Sequence, residues 1–207
     1  MIAETSNHPG ARIRAATPAD AGAIGVIVAD GLEEKVAPAF GDRAADAVAA
    51  LVARDLSRDA IRYFVADVQG EVAGSARLAI GQQRSDDGLG AIARAIGWRR
   101  TIRGAIVLGL LVHARLSDDE GYIEELAVRA DRRRAGIGRA LLQACEEAAT
   151  AAGKDRVTLW VAAHNRPAVT LYRSTGYRVT RRRRTLRGRF LFGAPTVLLM
   201  EKPLRRP

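Results

Sequence analysis

The 207-residue chain has one cysteine and three histidines. That excludes a disulfide framework, and the scattered histidines exclude a zinc site of recognised spacing. Aromatic residues make up only 5%. No apolar run reaches the roughly 18 residues that a bilayer-spanning helix needs. The first residues lack the basic-then-apolar pattern of a secretory leader. With so little cysteine, this gives the expectation of a reducing, cytoplasmic location. Acidic residues are outnumbered 23 to 33 by basic ones, leaving a formal charge of +10. That excess favours acidic partners, phosphate groups among them, without naming one. What the chain does have is a 48% hydrophobic fraction with clear periodicity. Disorder is excluded, and the length suits one domain with a sizeable core.

Residues 122–128 are β-branched and apolar and read as a strand. A charged loop follows, then a helix with Leu141, Leu142, Cys145, Ala148 and Ala149 at helical spacing. Cys145 falls in that apolar register, so a buried thiol is expected rather than a nucleophile. Gly136 and Gly138 sit where the helix begins. The first N–H groups of a helix have no internal partner, and the macrodipole leaves positive charge there. Glycine allows close approach to those groups, and Arg132, Arg133, Arg134 and Arg139 add fixed charge. Together they describe a cradle for a phosphate or diphosphate. It is not a P-loop, because Arg139 and Ala140 stand where Lys-Ser/Thr is required. Nor is it a dinucleotide fingerprint, because Leu141 replaces the third glycine.

Elsewhere the pattern predicts a loose tail over 1–10 and a strand over 12–16. Thr17, Pro18 and Asp20 form a helix start. The helix runs to about Asp30, with Ile24, Val26, Ile27 and Val28 inward. A second helix over 42–54 turns Ala45, Val48, Leu51 and Val52 to one face. Strands over 61–68 and 71–79 are joined by a Gln69-Gly70 turn. Residues 81–119 carry Ile92, Ile96, Trp98, Ile106 and Leu110 among Arg94, Arg99, Arg100 and Arg103. This segment reads as one or two amphipathic helices over 91–112, forming a lid packed on the sheet. A homodimer contact and a membrane-surface contact are the alternatives. Gly153 stops the long helix, and strands follow over 156–162 and 195–201, the latter closing the sheet. The four arginines of 181–184, with Arg187 and Arg189, read as a solvated strand pair rather than a nucleic-acid surface, since aromatic interleaving is thin.

Arg133-x-x-Gly136-x-Gly138, preceded by Leu126-x-Val128 and followed by Leu141-Leu142, resembles the acyl-coenzyme A signature of the GNAT superfamily of N-acetyltransferases. Asn165, Ala168, Tyr172, Gly176 and Tyr177 resemble that family's second landmark. The resemblance covers residues 12–180, with the middle segment unmatched. It implies an α/β fold with a mixed, mostly antiparallel sheet flanked by helices on both faces. Residues 81–119 become a helical insertion between the family's third and fourth strands, within a single domain over 1–207. It also implies acetyl-CoA as acyl donor and an amine of a small molecule or protein as acceptor. The backbone of Leu126, Ala127 and Val128 would pair with the pantetheine arm as an added strand does, one N–H polarising the thioester carbonyl. Arg133 opens the loop, and the N–H groups of Arg134, Ala135, Gly136, Ile137, Gly138, Arg139 and Ala140 would hold the diphosphate. Asn165, which can cap the helix that carries Ala168 and Tyr172, would lie on the pantetheine side with Ala168. Tyr172 would protonate the departing thiolate, a phenol being protonated at neutral pH.

The base is left open. Glu124 and Glu125 are strand neighbours and are expected on opposite faces, so that one alone looks into the acceptor cleft. His164 and a water chain stand beside them, since residues 157–164 contain no acid. No metal is expected. Two readings from other classes remain: a non-catalytic acyl-CoA-binding sensor or interaction module, and a basic ribosome- or nucleic-acid-associated protein.

Overall fold

The structure is a computed structural model that describes residues 7–8, 10–31, 40–81, 88–97, 117–184 and 196–204. Its centre is one eight-stranded sheet in the order β1-β2-β3-β4-β5-β6-β8-β7. Part of the expected tail is ordered into it: β1 (Asn7–His8) pairs antiparallel with β2 (Ala11–Ala15). Asp20 accepts from both the amide and the hydroxyl of Thr17, at 2.7 and 2.8 Å. Two hydrogen bonds from Arg14 hold the same carboxylate. This closes the turn that leads into α1 (Ala21–Gly31). Ile24, Ile27 and Val28 are buried, but Val26 is 61% exposed, contrary to expectation. Positions i, i+3 and i+4 share a helix face, and i+2 falls on the opposite side.

Next comes α2 (Ala44–Asp55), which packs on α1. Its buried residues are Ala44, Ala47, Val48, Val52 and Asp55, while Ala45 and Leu51 are half-buried. The hairpin of β3 (Ile61–Val68) and β4 (Glu71–Ala79) forms as the sequence predicts. Gln69 and Gly70 both take positive φ, 56° and 87°, as a type I′ turn requires.

The described part of the insertion is α3 (Gly88–Ile96). Ile92 and Ile96 bury against Phe40 and against Ala44 and Ala47 of α2, so a helix rather than a strand takes its apolar face. Residues 98–116, to which the rest of the lid and the dimer and membrane-surface expectations belong, lie outside the described residues. No helix among the described residues is long and apolar enough to cross a membrane.

The second half comprises β5 (Glu120–Val128), α4 (Ile137–Ala151), β6 (Arg156–Ala162), α5 (Arg166–Ser174), β7 (Arg178–Arg184) and β8 (Thr196–Pro203). Helices α1 and α2 cover one face through Ile24, Ile27, Val48 and Val52, packed on Tyr63 and Val65 of β3. The other face is covered by α4 and α5 through Leu141, Leu142, Cys145, Val169 and Tyr172, packed on Leu78, Ile123, Leu159 and Met200. The last strand does not close the sheet: β8 lies between β6 and β7, leaving β7 at the edge with every residue exposed. An arginine-rich strand is best tolerated there, where both faces are wet and charge discourages pairing with another chain.

Every pairing is antiparallel except β5 with β6. That parallel ladder runs from Glu120↔Arg156 to Ile123↔Leu159 and stops. Beyond it β5 continues along β4 and β6 continues along β8. The sheet forks at this point.

Candidate active site

The loop from β5 to α4 turns through a short 3-10 segment, Ala130–Arg132. Arg134 (φ 69°) and Gly136 (φ 81°) then adopt the left-handed conformation before α4 starts at Ile137. Among the described residues, the N–H groups of Arg134, Ala135, Gly136, Ile137 and Gly138 donate to no acceptor. Those of Arg139 and Ala140 are already bonded to the Gly136 carbonyl, at 3.0 and 3.1 Å. The free amides therefore begin at Arg134, where the motif suggested, but end at Gly138 instead of Ala140, because the cap carbonyl satisfies the third and fourth residues of the helix. Gly138 has a second role. A Cβ there would meet Leu171 Cδ2 at 3.1 Å, so glycine lets α5 pack across the start of α4.

The four arginines are not equivalent. Arg133 Nε donates to the Val128 carbonyl (3.1 Å), and its guanidinium reaches Asp30 at 3.9 Å, which ties the loop to β5 and α1. Arg139 donates to Ser174 Oγ at 3.1 Å, and Arg132 lies 3.6 Å from Asp131. Arg134 is exposed and has no partner among the described residues. Unbonded amides, a helix N-terminus and a free guanidinium suit the two charges of a diphosphate.

At the fork the backbone alternation decides which groups face outward. The Arg129 amide donates to the Ala73 carbonyl at 2.9 Å. In an antiparallel ladder this phase turns the N–H and C=O of Glu125 and Ala127 toward β4, and those of Leu126 and Val128 toward the open side. Of the three residues expected to pair with a pantetheine arm, Ala127 is thus committed to the sheet. Its side chain is buried, and those of Leu126 and Val128 are half-buried against the α4 core.

The two glutamates depart from the alternating pattern. The β4/β5 register shifts between Arg77 and Leu78, so that Glu125 opposes Arg77 and Glu124 is the extra residue of a bulge. Glu124 and Arg77 form an ion pair. The Glu125 carboxylate acts electrostatically on both Arg77 and Tyr63. Both carboxylates therefore converge on the α1/α2 side, and the expectation that only one could do so fails because alternation lapses at a bulge. Sequence reasoning missed the rest of the cluster. Arg77 sits over the Tyr63 ring at 5.8 Å and donates to Asp55 at 2.7 Å, and Arg54 pairs with the same Asp55. Asp55 is only 1% exposed. One signal was available: Arg77 is the sole charge inside the otherwise apolar or small run 72–79 of a strand with both neighbours paired.

Tyr172 lies in the core between α5 and the sheet, its ring 5.9 Å from that of Tyr177. Burial pushes its hydroxyl up, with Cys145 and Tyr122 adding to the effect, so it stays protonated at neutral pH. Tyr122, on β5, is pushed up to about 12 by burial and by Glu120. Asn165 caps α5 by accepting from the Ala168 amide at 3.2 Å, as its place in the sequence suggested. His164 is exposed in the turn before it. Cys145 is fully buried and its thiol is pushed up by burial, in agreement with a core role. Among the described residues no group of acidic, histidine or cysteine side chains could hold a metal.

A sheet that forks beside a helix start with free amides suits a phosphate-bearing donor. Residues 29–177 match the family model described as Acetyltransferase (GNAT) family, and the chain belongs to that family, whose acyl donor is acetyl-CoA. No curated protein matches it in sequence. Among solved structures it is similar to the ribosomal-protein-alanine N-acetyltransferase of Brucella melitensis, with 21% identity, 93% of this chain and 99% of that one covered, and a TM-score of 0.64. It is similar to yncA of Salmonella typhimurium, solved with its cofactor acetyl-CoA, with 20% identity, 96% of each chain covered and a TM-score of 0.63. A GNAT-family acetyltransferase from Streptococcus pneumoniae has 22% identity, 93% and 98% coverage and a TM-score of 0.62.

Proposed function

We propose that this acetyltransferase, acting as one domain, moves the acetyl group of acetyl-CoA to an amine by direct attack in a ternary complex. The observation that carries the reading is the fork. It has unbonded amides and Tyr172 on its α4/α5 side and two carboxylates on its α1/α2 side. Acetyl-CoA supplies an activated thioester. The amides of Arg134 through Gly138, helped by Arg134, hold its diphosphate, and Leu126 and Val128 bind its arm through outward backbone groups. The Leu126 or Val128 N–H polarises the thioester carbonyl.

At neutral pH an amine arrives as an ammonium ion. Glu124 and Glu125 attract the ammonium ion, and one of them takes its proton directly or through water. The Tyr172 hydroxyl gives a proton to the departing sulfur. The one cysteine of the chain is buried with a raised pKa, which supports direct attack over a thiol-bound acyl enzyme.

The test is a panel of small and peptidyl amines with acetyl-CoA, read by release of free thiol, followed by initial-velocity patterns. Intersecting lines and a saturable amine support the proposal. Parallel lines would overturn direct attack. Tight acetyl-CoA binding with no thiol release for any amine would instead favour an acyl-CoA sensor.

A further inference from the structure

Strand β7 presents Arg178, Arg181, Arg182, Arg183 and Arg184, all exposed. None of them has a carboxylate partner among the described residues. Several arginines elsewhere pair with carboxylates: Arg14 with Asp20, Arg77 with Asp55 and Arg156 with Asp119. Of the described arginines of β7, Arg183 has a ring partner, the Trp160 indole, 5.9 Å from its guanidinium carbon.

The register sorts these cations between the two faces. Leu198 and Met200 point into the α4-side core, so Val197 and Leu199 point the other way. Arg182 opposes Leu198, whereas Arg181 opposes Leu199 and Arg183 opposes Val197. Arg181 and Arg183 therefore share the face of Glu124 and Glu125. Trp160 opposes Leu199 on the other side, so Trp160, Leu199 and Arg181 form one row across the sheet. Glu124 and Trp160 are the first residues beyond the last β5/β6 rung, Ile123↔Leu159. They flank the mouth of the fork. Two strand spacings, roughly 10 Å, separate the backbones of Trp160 and Arg181. Arg183 already folds back across such a gap onto the indole.

We propose that the acceptor carries an anionic group, a carboxylate or a phosphate, several bonds from its amine, and that Arg181 and Arg183 bind this group beside Trp160. The proposal rests on the transfer to an amine described above. The two charges of such an acceptor would be read at opposite ends: the ammonium by the glutamates, the anion by the arginines. A polyanion tracking the edge strand would use Arg182 and Arg184 equally, whereas the fork-level row and the Trp160 contact belong to one face.

The test compares Arg181→Gln/Arg183→Gln with the opposite-face control Arg182→Gln/Arg184→Gln. Both are made in a Trp98→Phe background that leaves Trp160 as the only tryptophan. Titration with inorganic phosphate and with an N-acetylated triglutamate peptide should change Trp160 fluorescence saturably in the parent and the control. The Arg181/Arg183 variant should lose the response. In turnover, amines bearing a carboxylate or a phosphate should exceed their neutral isosteres in kcat/KM by about tenfold, roughly 1.4 kcal/mol. Only the Arg181/Arg183 variant should erase that preference, and whichever anion gives the larger effect identifies the group. Equal kcat/KM for charged and neutral amines would overturn the proposal. So would equal losses in the two variants, or a single-stranded RNA that binds with steep salt dependence and is lost equally from both. A saturable, Arg181/Arg183-dependent titration without thiol release from any amine would retain the anion site and remove the amine-transfer reading.

Discussion

On the α4 side of the fork, the groups proposed to hold the diphosphate are the free backbone amides of the consecutive residues 134–138. On the α1/α2 side, the carboxylates are held by side chains from four elements: Asp55 of α2, Tyr63 of β3, Arg77 of β4, and Glu124 and Glu125 of β5. The first site needs one loop in the right conformation. The second needs a register, a bulge and a helix end to agree. The two sides should therefore fail differently, the loop losing a ligand and the cluster losing the fold.

The largest expected effect is on the cluster. Arg77→Ala leaves Glu124, Glu125 and Asp55 with one guanidinium fewer in a mostly buried place. Breaking such a pair typically costs 3–5 kcal/mol. Urea unfolding should show a loss of about that size, while the folded fraction keeps its acetyl-CoA affinity. A loss under about 1 kcal/mol would mean the cluster is not held by its charge balance. Next in size is the chemistry. Tyr172→Phe should lower kcat by about 10², near 2.7 kcal/mol, with acetyl-CoA affinity almost unchanged. Near-normal kcat with chemistry rate-limiting would leave Tyr172 a packing residue.

The loop gives the converse case. Gly136→Val forces a β-branched side chain into a left-handed backbone and crowds the free amides. Acetyl-CoA affinity by calorimetry should fall at least tenfold, about 1.4 kcal/mol, with a stability loss of roughly 1–2 kcal/mol. If affinity holds, the diphosphate is bound elsewhere.

The contrast explains what could be read from the sequence. Local features were legible: the Gln69-Gly70 turn, the Asn165 cap and the Gly136 helix start, because each is fixed by residues a few positions apart. The α4 register was legible from its apolar spacing, and the place of Ala168 and Tyr172 on α5 from the resemblance to the second family landmark. The convergence of Glu124 and Glu125 was not, because the bulge that causes it is set by β4 on the partner strand. Nor was the packing of α3 on α2, since Ile92 and Ile96 at helical spacing say that a face is apolar without saying what buries it. The place of β8 inside the sheet was equally hidden, because chain order does not fix strand order.

The smallest effect lies far from both sites. The hydrogen bonds from Arg14, with those of Thr17, hold Asp20 well below its usual range of about 3.8. A depressed carboxylate contributes stability above its unfolded pKa and loses it as pH falls through the folded value. Asp20→Asn should therefore cost about 1–2 kcal/mol at pH 7. In urea unfolding the gap between variant and parent should narrow as acid protonates the parent's Asp20. A gap that stays constant down to pH 2 would mean the carboxylate's charge contributes nothing there.

The fork has a consequence for proton exchange with solvent. The amide of Ala127 is tied to β4 whether or not a donor is present, whereas the outward amides of Leu126 and Val128 have no strand beside them. The proposed seat of the acetyl-CoA arm in this gap would complete the ladder with a molecule in place of a strand. Deuterium uptake at Leu126 and Val128 should slow on binding while that at Ala127 hardly changes. The melting temperature should climb with donor concentration, in line with about 2.7 kcal/mol at a hundredfold excess over Kd.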